Sequence, residues 1–128
     1  KYIAPQMIET RLAEDNYIDM VAVIGDERKF VSGLIVPNYE ALEEYAREHA
    51  IPFSTREELV ANEDIKNFMY ARVELKQVLF TSFEKIKKFV LLPRAFTIED
   101  GELTNTLKLR RKVILENYSA EIESMYVE

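Results

Sequence analysis

Two short apolar runs, Met20-Val21-Ala22-Val23-Ile24 and Phe30-Val31-Ser32-Gly33-Leu34-Ile35-Val36, constrain this chain more than any other feature. Both are rich in β-branched residues, and turn residues follow each, Gly25-Asp26 and Pro37-Asn38. The polar segment from Gly25 to Lys29 is short enough to reverse the chain, so the pair reads as an antiparallel hairpin. Adjacent as well as alternate positions are apolar, which a strand tolerates only when both of its faces are covered. Such a sheet needs helices packed on it.

The rest of the sequence supplies them. Pro5 suits the first turn of a helix, where its missing N–H costs nothing, and Met7, Ile8 and Leu12 continue at helical spacing towards a stop at Asn16. Tyr39 to His49 puts Leu42, Tyr45 and Ala46 on one face, with His49 placed to meet the last carbonyls. Ser54-Thr55-Arg56-Glu57 matches a capping box opening a short helix through Leu59 and Val60. Asn62 caps the next helix, whose apolar stripe runs Ile65, Phe68, Met69, Val73, Leu75 and Leu79. Lys85 to Pro93 returns to strand chemistry, with Lys85, Lys87 and Lys88 read as the solvated side of a strand or helix end rather than a ligand site. Phe96-Thr97-Ile98 is a brief extended piece before the turn signal Asp100-Gly101. Leu109, Val113, Ile114, Tyr118, Ile122 and Met125 then mark one C-terminal helix. The expected fold is a small α/β (α+β) domain over residues 1–128, with a mostly antiparallel sheet, a β-hairpin and helices packed on it.

Composition narrows the function classes. The formal charge of −6 argues against a general nucleic-acid binder. There is no cysteine, so disulfides, thiolate metal sites and a cysteine nucleophile are excluded. A single histidine and acids spread over helix faces speak against a metal site. Three glycines leave no glycine-rich phosphate loop. Neither Ser54 nor Ser32 has a base near it in the sequence for nucleophilic work. No run approaches the roughly 20 apolar residues that cross a bilayer. The chain opens on Lys1 rather than Met, as a piece of something longer would.

One stretch stands apart. Glu102-Leu103-Thr104-Asn105-Thr106-Leu107-Lys108-Leu109-Arg110-Arg111-Lys112 gathers four cations in an acidic chain. A surface cluster of this kind is most often simply solvated. Here, though, cations fall where the last helix is expected to begin, opposing its dipole at roughly 0.3–1 kcal/mol each. Something should compensate, and an anion held at a helix N-terminus would do so.

Three motifs taken together resemble a known family. Lys1-Tyr2-Ile3-Ala4-Pro5-Gln6-Met7-Ile8-Glu9 is similar to the loop and helix that open the mobile C-terminal domain of long-chain fatty acid–CoA ligases, in the adenylate-forming superfamily. The hairpin resembles the one that follows there, and Asp100 to Arg111 resembles the family's last signature. The resemblance implies that Lys108 is the catalytic lysine, with Glu102, Thr104, Thr106, Arg110 and Arg111 as its supporting motif. It also implies that the loop Lys1, Tyr2, Ile3, Ala4 and Pro5 faces the pantetheine thiol. The parent would use ATP, Mg2+ and coenzyme A to turn a fatty acid into acyl-adenylate and then a thioester. Its partner would be its own N-terminal domain, with no nucleic acid, in the cytoplasm or peripheral at the inner membrane face. The fragment alone would be inert. Two departures concern the loop: the family usually has proline at Asn105, and many superfamily relatives have glycine at Leu107. A ligase for another carboxylic acid, and a non-catalytic module for an acidic partner or RNA, remain as alternatives.

Overall fold

The computed structural model describes residues 3–127. The elements run α1 (Pro5–Leu12), β1 (Ile18–Ile24), β2 (Val31–Pro37), α2 (Tyr39–Glu48), α3 (Arg56–Ala61), α4 (Glu63–Lys76), β3 (Ile86–Leu91), α5 (Arg111–Asn117) and α6 (Ser119–Tyr126), with a 3-10 turn at Ser82–Glu84. The strands form one sheet in the order β1-β2-β3. β1 and β2 are the expected antiparallel hairpin, with Val21 opposite Ile35 and Val23 opposite Gly33. Every residue of β2 is buried, including Ser32, whose hydroxyl lies 2.8 Å from that of Tyr126.

The sheet is mixed rather than mostly antiparallel. β3 pairs with β2 in parallel, Leu34 opposite Val90. Three helices separate the two strands, and a crossover of that kind brings the chain back running in the same direction. β3 therefore ends as an edge strand, whose outward backbone groups need partners. A side chain provides them: Gln77, fully buried, donates from Nε2 to the Ile86 carbonyl (3.1 Å) and accepts the Ile86 amide on Oε1 (3.0 Å). One amide thus stands in for a missing strand at that residue.

Several local expectations shift. The N-cap of α3 is Thr55 rather than Ser54. Its hydroxyl accepts the Glu58 amide, and the Glu58 carboxylate, not that of Glu57, accepts the Ser54 amide. α4 stops at Lys76, so the stripe does not continue to Leu79; Leu75 is 60% and Leu79 82% exposed. The C-terminal helix breaks at Tyr118 into α5 and α6. Phe96 to Ile98 joins no strand, although the Asp100-Gly101 turn is present, with Gly101 at φ +74°. His49 does cap α2, with Nδ1 2.9 Å from the Tyr45 carbonyl. Among the described residues no helix is long and apolar enough to cross a membrane.

Replacing Gln77 by Leu should cost about 1–3 kcal/mol in urea unfolding of the domain, because it leaves the Ile86 amide buried and unpaired. An unchanged midpoint would show that water takes over those bonds.

Candidate functional site

Lys108 does not sit at a helix N-terminus. It lies in a tight hairpin closed by an antiparallel bridge between Leu103 and Leu109, ahead of α5. The Thr104 amide donates to the Lys108 carbonyl (2.8 Å) and the Leu107 amide donates to the Thr104 carbonyl (2.8 Å). The Lys108 amide donates to Thr104 Oγ1 (3.0 Å), which is also 3.1 Å from the Thr106 hydroxyl. Both threonines of the motif thus hold the turn that presents the lysine.

The two departures from the family pattern fall on the two demanding positions of this turn. Asn105 is the second residue of the turn, where proline pre-sets the required φ. Leu107 follows it at φ +64°, in the left-handed region that favours glycine. A turn followed by a left-handed residue is a common way of closing a three-residue hairpin loop.

Lys108 is exposed, as are Arg110 and Lys112, and none of the three is within ion-pair distance of an acid among the described residues. Arg111 is different. It opens α5 against the helix dipole, and its guanidinium makes a two-pronged pair with Glu9 of α1, Nη1 to Oε2 at 2.7 Å and Nη2 to Oε1 at 3.1 Å. Nη1 also reaches the Val23 carbonyl (3.0 Å), and the Val23 amide donates to Glu9 (2.8 Å). The compensation expected from a bound anion comes, for Arg111, from inside the protein.

Glu102 does not neutralise the cations beside it. Its side chain points inward and is fully buried. Arg94 donates to both of its oxygens (3.2 and 3.1 Å), while the Thr97 amide (3.2 Å) and Asn117 Nδ2 (3.1 Å) complete the set. Burial pushes its carboxyl pKa up, but the bonds from Arg94, Asn117 and Thr97 together outweigh that and hold it below the ordinary value. The Glu102 carbonyl takes the Arg110 amide (2.8 Å), closing the base of the hairpin. The buried Tyr118 hydroxyl has no hydrogen-bond partner among the described residues, and burial first, then nearby Glu102, raises its pKa to about 12.

Of the opening loop, Lys1 and Tyr2 lie outside the described residues. Ile3 packs on the β1–β2 turn, where a Cβ on Gly25 would meet its Cδ1 at 2.7 Å. Ala4 is exposed and Pro5 begins α1. Ile3 also lines a cavity of about 350 Å³ with Arg28, Lys29, Phe30, Phe83, Lys85 and Lys87. Lys87 and Lys88 are exposed on β3, as expected, and Lys85 ends the 3-10 turn half-buried; Lys85 and Lys87 also line this cavity. No sequence pattern joins them to Arg28 and Lys29, because the parallel pairing of β3 with β2 makes that connection.

The sequence model of the AMP-binding enzyme C-terminal domain matches residues 1–128, and the chain belongs to that family. It is 32% identical over 127 residues to the long-chain-fatty-acid–CoA ligase FadD15 of Mycobacterium tuberculosis, covering 98% of this chain and 21% of the relative. It is 33% identical over 129 residues to long-chain-fatty-acid–CoA ligase 5 of Rattus norvegicus, covering 98% and 19%. The chain thus spans about a fifth of the curated relatives it matches. The fold matches the adenylation domain of a carboxylate reductase from Mycobacterium chelonae, with TM-score 0.80, 23% identity, all of this chain covered and 18% of that one. The same region of a carboxylic acid reductase didomain from Segniliparus rugosus gives TM-score 0.78 at 21% identity, covering 98% and 16%. These matches do not favour the reading as an RNA-binding or acidic-partner module.

Asn105→Pro and Leu107→Gly, which restore the family pattern, should each leave the melting temperature equal or raise stability by up to about 1 kcal/mol. A clear loss at both positions would mean that the turn is not held in this form.

Proposed function

We propose that this domain is the mobile lid of a larger long-chain fatty acid–CoA ligase and that Lys108 is its catalytic lysine. The observation that carries this is an exposed ammonium with no acid in ion-pair reach among the described residues, held out on an internally bonded hairpin. Ligases among the relatives supply the reaction: their names describe long-chain-fatty-acid–CoA ligases. In the first half-reaction the fatty carboxylate attacks the α-phosphorus of ATP, acyl-adenylate forms and pyrophosphate leaves. A lysine ammonium is a compact positive charge that can stand against the oxygens on which negative charge builds. Placed there, it can contribute roughly 3–4 kcal/mol.

The second half-reaction passes the acyl group from the adenylate to the thiol of coenzyme A, with loss of the thiol proton and release of AMP. The face around Ile3 and Ala4 serves that step, and Lys85 and Lys87 at the cavity beside Ile3 supply cations for the coenzyme's phosphates, the charge of Arg28 there being met by Glu123. The lid turns between these faces on its own N-terminal domain, which carries the acyl and nucleotide pockets. The Mg2+ that accompanies ATP would be held with the nucleotide in that N-terminal domain. The parent is placed in the cytoplasm or at the inner membrane face, where its substrate partitions.

In the full-length parent, Lys108→Ala should slow pyrophosphate release about 100- to 1,000-fold, while thioester formation from supplied acyl-adenylate survives. Equal loss in both steps would remove Lys108 from this role. Lys85→Ala and Ala4→Trp should do the reverse. The first should raise the KM for coenzyme A by about 5-fold, the value of a single charged contact near 1 kcal/mol, and the second should slow thioester formation. Adenylation rates should hold in both, and a selective loss of adenylation would refute this division of faces.

A further inference from the structure

Arg94 touches none of the hairpin's cations, yet it ties the hairpin to the sheet. It follows β3 by three residues, and the intervening Leu92 amide is bonded to Ile35 of β2 (2.9 Å), so the start of this segment is anchored on the central strand. From there the guanidinium grips both Glu102 oxygens, reaches the Ala95 carbonyl (3.2 Å) and Asp100 (3.2 Å), and lies over the Tyr118 ring at 5.2 Å. Asn117 brings the end of α5 to the same carboxylate. The base of the hairpin is thus fixed at one buried group from the sheet side and from the helix side. Beyond that group, the Leu103–Leu109 bridge and the bond from the Arg110 amide to the Glu102 carbonyl set where Lys108 points.

We propose that Arg94 is a positioning residue for Lys108, acting through the buried Glu102 carboxylate to hold the hairpin at a fixed height on the sheet. The inference rests on the lid reading of Lys108. A purely structural clamp would stabilise the domain and serve both half-reactions alike. A positioning clamp is felt only where the ammonium is used. Misplacing a catalytic group by about 1 Å can cost on the order of 100-fold in rate.

The test uses the full-length parent, with separate assays for pyrophosphate release and for thioester formation from supplied acyl-adenylate, alongside thermal melting. Arg94→Met should lower kcat for adenylation about 10- to 100-fold, with the KM values for ATP and fatty acid little changed and the thioester step intact. Arg94→Lys should recover only part of the rate, since an ammonium cannot make the two-pronged contact. Asn117→Ala, which removes one Glu102 bond and leaves Arg94 in place, should give a smaller, about 3- to 10-fold, loss in the same step, and it reads the proposal even if Arg94→Met fails to fold. Unchanged adenylation in Asn117→Ala and Arg94→Lys, or parallel losses in both half-reactions, would overturn the clamp. Lys108→Ala serves as the reference. If it is slow while the clamp variants are normal, only the clamp fails, and if it is itself normal, the lid reading fails first.

Discussion

A carboxylate carried into the interior must be met by opposite charge and hydrogen bonds, and this small domain is built around that demand. Asp15, Glu9 and Glu102 are buried, and each is held by an arginine: Arg72 and Arg111 from distant parts of the chain, and Arg94 from eight residues before Glu102. Such pairs contribute little net stability, because desolvation offsets much of the attraction. Removing one partner, however, strands a buried charge at a cost of about 3–5 kcal/mol. They act as specificity devices, admitting one arrangement of the helices on the sheet and penalising others. Asp15 fastens α4 beside the turn after α1, Glu9 fastens α5 to α1 and β1, and Glu102 fastens the hairpin to the end of β3.

This arrangement explains how a domain with a net charge of −6 can present a cationic hairpin. The acid nearest to Lys108 in sequence is turned inward and used up by Arg94. The arginine that opens α5 is turned inward and used up by Glu9. Lys108, Arg110 and Lys112 are left facing solvent. The hairpin needs no helix dipole to favour an anion, because its charge has been segregated from the acids by folding.

The domain also carries two separate basic features, the hairpin and the cavity beside Ile3. On the proposed lid function, each of these features would meet one anionic partner of the two-step reaction. The backbone strain at Leu107 fits the same economy. A left-handed leucine is tolerated because five polar contacts, including the Arg110–Glu102 closure, hold the turn around it.

Local pattern was enough to specify the hairpin of β1 and β2, the helix starts at Pro5 and Asn62, the cap at His49 and the prominence of the stretch around Lys108. Each follows from the period of apolar residues, from turn residues or from charge density within a few positions. Local pattern also misjudged whatever depends on a partner far along the chain. A capping box at Ser54 and one at Thr55 are nearly equivalent until packing selects the register. The apolar stripe of α4 continues in sequence beyond the point where the chain turns to deliver Gln77 to Ile86. The direction of β3 depends on the crossover, and the fate of Glu102 depends on an arginine eight residues earlier folding back beneath it. Sequence therefore determined which segments could be helix, strand and cationic loop. Only the tertiary structure decided which charges were neutralised and which were left exposed, since ion pairing depends on distance in space, and that distance is set by the fold.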